Sequence, residues 1–129
     1  MELPEFPPGL TARVELTVTD ADTAQSHGSG DVPVLASPRV LALAEAATVA
    51  ATARHIPGGI TTVGVRAELS HLAPTPVGHR VYALATLAKM EGRRLFFEVV
   101  VRKDDLLVAE VLVERLLLDR RRFIEKALS

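Results

Sequence analysis

The chain has 129 residues, 48% of them hydrophobic, no cysteine, and fifteen basic against sixteen acidic side chains for a formal charge of −1. That balance lacks the basic footprint of a nucleic-acid binder or of a protein drawn to anionic membranes, and the missing cysteine excludes a disulfide framework, a thiolate nucleophile and a Cys-ligated metal. Length predicts one domain spanning residues 1–129, and MELPEFPPGLTARVEL lacks the basic start and apolar run of a signal peptide, so a soluble cytoplasmic protein is expected.

In chain order, Leu10, Ala12, Val14, Leu16 and Val18 alternate with mostly polar residues and predict a half-buried strand over residues 10–19. The segment DADTAQSHGSGDVP that follows is polar and rich in Gly and Ser, and predicts a mobile loop that could serve as a lid. From Ser37 to about His55 an alanine- and leucine-rich run, with Pro38 in the first turn and Pro57-Gly58-Gly59 beyond its end, predicts a helix. Its apolar residues go all the way round between Val40 and Ala53, which predicts a buried helix.

After the helix the period changes to two. Strands are expected at Ile60–Leu72, Arg80–Met90, Arg94–Arg102 and Leu106–Leu118, joined by Ala73–Gly78, Glu91–Arg93 and Lys103–Asp105 as a meander. The end, DRRRFIEKALS, reads either as a short helix with Phe123, Ile124, Ala127 and Leu128 inward or as a fraying terminus. The order is α+β: a five-stranded antiparallel sheet wrapped around one long central helix. A lone small chain of this kind leaves part of its helix and a sheet edge bare, so a homodimer is expected.

Glu45 is the only ionisable group in VLALAEAATVAATA. A buried carboxylate must be hydrogen-bonded, paired or protonated, which makes Glu45 a catalytic or ligand-facing candidate, with structural pairing to Arg115 or a partner subunit as the alternative. His71 shares its parity with Val63, Val65, Ala67 and Leu69, so alternation aims its imidazole at the helix, as a general base or a satisfied core histidine. His27, His55 and His79 read as loop or helix-end residues, and no close ligand spacing supports a metal site. Ser37 stands where an N-cap hydroxyl is expected; the same helix end could also stabilise a thioester oxyanion.

The run Val34-Leu35-Ala36-Ser37 with Glu45 eight residues on, Gly64 and His71 seven apart, Ala73-Pro74-Thr75-Pro76-Val77-Gly78, Glu91-Gly92-Arg93-Arg94-Leu95 and Glu114-Arg115 together resemble the fluoroacetyl-CoA thioesterase-like branch of the hot-dog proteins. The resemblance covers roughly residues 10–118. It implies the hot-dog fold and hydrolysis of a small or medium acyl-CoA. It also implies Ser37, Glu45 and His71 as the catalytic set, with Gly64 and Arg115 on the substrate side. Coenzyme A then enters as part of the substrate, with no separate cofactor. The family's usual threonine is serine here, which keeps the hydroxyl. Gly30-Asp31-Val32-Pro33-Val34 lacks the phenylalanine that shapes the acyl gate, so fluoroacetyl specificity is not expected. Candidates for the CoA phosphates are Arg66, Arg80, Arg93, Arg94 and the Arg120-Arg121-Arg122 cluster. Among alternatives, a hot-dog dehydratase or hydratase acting on the same thioesters would carry an Asp and His pair on the helix segment, which this chain lacks. A non-catalytic acyl-CoA or acyl-carrier binding module, or a dimer with no ligand, stays open.

Overall fold

The computed structural model describes residues 1–129. Strand β1 (Thr11–Thr17) is followed by a 3-10 turn at Asp20–Asp22, a one-turn helix α1 (Ala24–His27) and the long helix α2 (Ser37–Thr52). Strands β2 (Ile60–His71), β3 (Arg80–Glu91), β4 (Arg94–Lys103) and β5 (Leu106–Asp119) come next, and helix α3 (Arg120–Leu128) closes the chain. These bounds fall within a few residues of the expected ones, because period-two alternation and the Gly and Asp turn residues are local signals.

The sheet is antiparallel, in the order β1-β3-β4-β5-β2. The meander expectation holds for β3, β4 and β5 and fails for β2. Residues 72–79 do not close a hairpin; they carry the chain across to β3, so β2 pairs only with β5 and its other edge is free. A hairpin loop usually takes two to about five residues, and this connection is longer.

Rows of small and β-branched side chains cross the inner face, among them Val14, Ala83, Val101 and Ala109, and Ala12, Ala85, Val99 and Val111. Against them α2 buries Val40, Leu43, Ala44, Ala47 and Ala51. The alanines let the helix approach closely, and it rests chiefly on β1 and β3 rather than on β2. The expectation of a helix buried all round is therefore corrected: Ala42, Ala46, Val49, Ala50 and Ala53 form an exposed apolar stripe.

Two further expectations fail. The segment after β1 is folded, not a bare loop. Asp22 accepts from the Thr19 amide at 2.8 Å and its hydroxyl at 3.0 Å, Arg39 reaches Asp22 at 3.0 Å, and Thr23 caps α1. Polar residues here satisfy local backbone groups without needing an apolar face. Burial pushes the Asp22 carboxyl up, but the Thr19 and Arg39 bonds outweigh it and hold the group below its usual range. Helix α3 forms as expected but buries nothing: Phe123, Ile124 and Leu128 are exposed. No helix is long and apolar enough to cross a membrane.

Candidate active site

Ser37 is not the cap of α2. That place falls to Ala36, which makes no side-chain capping bond, so Ser37 is the first helical residue and its hydroxyl is free for another partner. The partner is His71: Oγ lies 2.8 Å from Nδ1 across thirty-four residues. A hydroxyl at hydrogen-bond distance from an imidazole, on the first turn of a sixteen-residue helix, is the geometry of an activated nucleophile beside the helix's positive end.

Burial pushes the His71 pKa down, with the backbone of Ala73 opposing it, so the ring favours its neutral, proton-accepting form. Two buried side-chain polar atoms lack any partner in this chain, His71 Nε2 and Thr75 Oγ1. The Thr75 carbonyl accepts the Leu35 amide at 2.8 Å, which ties the connection after β2 to the chain entering α2. Native cores leave few polar atoms without a partner, and these two lie four residues apart.

Glu45 occupies a second cluster. Its Oε2 lies 3.1 Å from Nη1 of Arg115, whose guanidinium is held by Thr62 through Oγ1 at 3.0 Å and the carbonyl at 3.1 Å. The arginine side chain is 6% exposed and the glutamate 39%. Burial lowers the arginine's pKa, and Glu45 opposes the shift. Gly64 is the register partner of Arg115, and a Cβ there would collide with Glu45 Oε2. Only glycine leaves room for the carboxylate on that strand.

A β-bulge decides which residues share this face. Gly64 pairs with Arg115 but Arg66 pairs with Glu114, so Val65 is an extra residue. Seven residues apart, Gly64 and His71 would point to opposite faces of a regular strand; the bulge puts both inward. The alternation that grouped Val63 and Val65 with His71 is corrected accordingly, and Val65 is exposed.

All five expected residues thus face the helix side, but as two units: Ser37 with His71, and Glu45 with Arg115 and Gly64. Eight helical residues put about 12 Å between Ser37 and Glu45, so the units do not touch within one chain. Both units contain a residue of β2. A groove of about 300 Å³ between the end of α2 and the start of β2 is lined by Val49, Ile56, Ile60 and Arg120 among others and reaches Thr62, which holds Arg115. A depression on the other face, around Phe96, Leu112 and Lys89, is away from these residues. Thr62 and Thr75 escaped sequence reasoning. Their contacts come from tertiary pairing, and no local pattern distinguishes them from other strand or loop threonines. No cluster of His, Asp and Glu suited to a metal ion is present.

Residues 18–121 match the family model described as FlK: Fluoroacetyl-CoA-specific thioesterase. FlK itself, in one of its solved structures, superposes with a TM-score of 0.88 at 25% identity over 95% of this chain and 96% of that one. A thioesterase-superfamily protein of Thermus thermophilus gives 0.87 at 27% identity over 96% and 90%. A hot-dog-like protein of Thermanaerovibrio acidaminovorans gives 0.87 at 24% over 95% and 91%, a likeness of fold. Mutants of FlK have been solved with fluoroacetate and CoA and with acetyl-CoA. No individual curated protein matches the chain by sequence. With its fold, and with a family match across most of its length, the chain belongs to the fluoroacetyl-CoA-specific thioesterase family of hot-dog proteins and is a thioester hydrolase.

Proposed function

We propose that the protein hydrolyses short- and medium-chain acyl-CoA thioesters, with no marked preference for fluoroacetyl-CoA, as a homodimer. The observation that carries the reading is the 2.8 Å contact of Ser37 Oγ with His71 Nδ1 at the start of α2. Neutral His71 takes the hydroxyl proton as Ser37 Oγ bonds to the thioester carbonyl, and the oxyanion is stabilised by the positive end of α2. The C–S bond then breaks, and the CoA thiolate leaves with the proton from His71. Water hydrolyses the acyl-serine to the free acid and restores the hydroxyl. Coenzyme A takes part only as the leaving half of the substrate.

The dimer reading rests on β2. It is a twelve-residue edge strand, its residues from Gly64 to Glu68 are exposed, and an uncovered edge of that length invites pairing. Antiparallel pairing of β2 with its own copy, centred on the strand, sets the partner's Gly64 opposite Ala67. The partner's Glu45 unit then stands four strand residues from His71, about 13 Å along the strand, comparable with the about 12 Å that separates Ser37 from Glu45 along α2 of one chain. Glu45, with one oxygen held by Arg115, completes the site across the interface and activates the deacylating water. Residues Asp31 to Pro33 are exposed and carry no aromatic side chain, which supports the broad acyl preference.

Thiol release from a panel of acetyl-, fluoroacetyl-, butyryl- and hexanoyl-CoA tests the reading. Turnover of the unfluorinated chains at rates comparable to fluoroacetyl-CoA is expected. A rise in melting temperature with acyl-CoA but no thiol release would favour a binding module instead.

A further inference from the structure

Helix α3 has no buried residue, yet it begins with Arg120, Arg121 and Arg122. It is anchored at one point of the fold: the Arg120 amide donates to the Gly59 carbonyl at 3.0 Å and Nε to that of Gly58 at 3.3 Å, immediately before Ile60 opens β2. The three arginines line a concavity of about 680 Å³ with Gly59, Asp119, Ile124 and Glu125. Of the two carboxylates, Asp119 accepts the Arg122 amide at 3.0 Å and Glu125 pairs with Arg121 at 3.1 Å. Arg120 and Arg122 have no carboxylate partner. Arg120 also lines the groove between the end of α2 and β2.

Within one chain this cluster sits at the wrong end of β2 for the Ser37 and His71 pair, with the length of a twelve-residue strand, about 36 Å, between them. Antiparallel self-pairing centred on the strand reverses that relation, since it sets the Ile60 end of one strand beside the His71 end of the other. We infer that Arg120, Arg121 and Arg122 of one protomer bind the phosphates of the coenzyme A moiety whose thioester is held by Ser37 and His71 of its partner. Planar guanidinium groups on an exposed helix end match phosphate oxygens bidentately, and the chain's near-zero net charge leaves such a local cluster to act by itself. The inference rests on the thioesterase dimer proposed above and adds where the substrate's charged end goes.

The test uses the full-length protein and a triple variant, Arg120→Gln, Arg121→Gln and Arg122→Gln. The ratio of KM for acetyl-CoA to KM for acetyl-pantetheine, which lacks the phosphates, is expected to rise by about tenfold or more, the scale of losing charge-assisted phosphate contacts. Mixed dimers then assign the arginines to a subunit. A His71→Ala protomer with intact arginines, paired with a triple-variant protomer with intact His71, is expected to keep the parent ratio at its one competent site. A parent protomer paired with one carrying His71→Ala and the triple change is expected to show the raised ratio. An unchanged ratio in the triple homodimer, or the reverse pattern in the mixed dimers, would overturn the inference. Calorimetric binding of free CoA separates this from failure of the thioesterase reading: loss of CoA affinity in the triple variant with no turnover by the parent sinks only the latter, while equal affinity sinks the phosphate site.

Discussion

Ser37 Oγ and His71 Nδ1 meet at 2.8 Å although one begins a helix and the other ends an edge strand. Because Ala36 and not Ser37 occupies the cap, the hydroxyl has no backbone bond to give up when it turns to the imidazole. Ser37→Ala is therefore expected to lower kcat by about 10²-fold or more while leaving the melting temperature nearly unchanged, since the usual cost of about 1 kcal/mol for losing a capping hydroxyl does not apply. Steady-state kinetics beside thermal melts check it. A drop in stability with unchanged kcat would return Ser37 to a structural role.

Buried as it is, the His71 ring titrates below its ordinary value of 6.5. The base form then persists as pH falls past that value, and kcat/KM should stay flat through neutrality before declining. The unfolded chain binds the proton more readily than the folded one. The ring's contribution to stability is thus full above pH 6.5 and is lost as pH falls through the lower folded-state pKa. Denaturation midpoints of the parent and His71→Gln compared across this range should converge toward low pH only if that sign is right.

Gly64→Ala offers a separate handle on the second unit. The new methyl displaces the end of a flexible glutamate and meets Arg115 Nη1 at 3.4 Å, an ordinary contact, so folding should survive while the carboxylate is turned away. Activity should fall by about tenfold or more, and Glu45→Gln should fall at least as far, the range for a positioned acid or base. Parent-like turnover in Glu45→Gln would show that the ion pair with Arg115 is structural.

Arg115→Met removes the donors to both Thr62 acceptors as well as to Glu45. Stranding such acceptors costs about 1–3 kcal/mol, to be read from chemical denaturation. Because Glu45 is partly solvated, most of that cost belongs to the Thr62 bonds, and Thr62→Val in the same background should recover part of it.

Val65→Lys places a charge on the exposed bulge of β2, a device by which natural edge strands avoid pairing. Light scattering should shift from dimer to monomer, with loss of turnover because each site would lose its partner's Glu45. A variant that stays dimeric would place the interface elsewhere, for example on the exposed stripe of α2.

The sequence by itself determined the five strands, α2 and α3 to within a few residues, and through the resemblance it named five candidate site residues. Alternation, alanine content and turn residues act over a few neighbours, and neighbours are what a sequence displays. Tertiary structure decided the rest. Whether Gly64 and His71 face the same way depends on a one-residue bulge at Val65, which exists only in the pairing of β2 with β5. A one-residue slip reverses every side chain beyond it, and nothing in the strand's own residues announces it. The position of β2 at the sheet edge, the turn of Ser37 from cap to histidine partner and the seating of Arg115 on Thr62 likewise follow from contacts between residues tens of positions apart. Such contacts depend on the register and packing of the whole sheet, which no local pattern specifies.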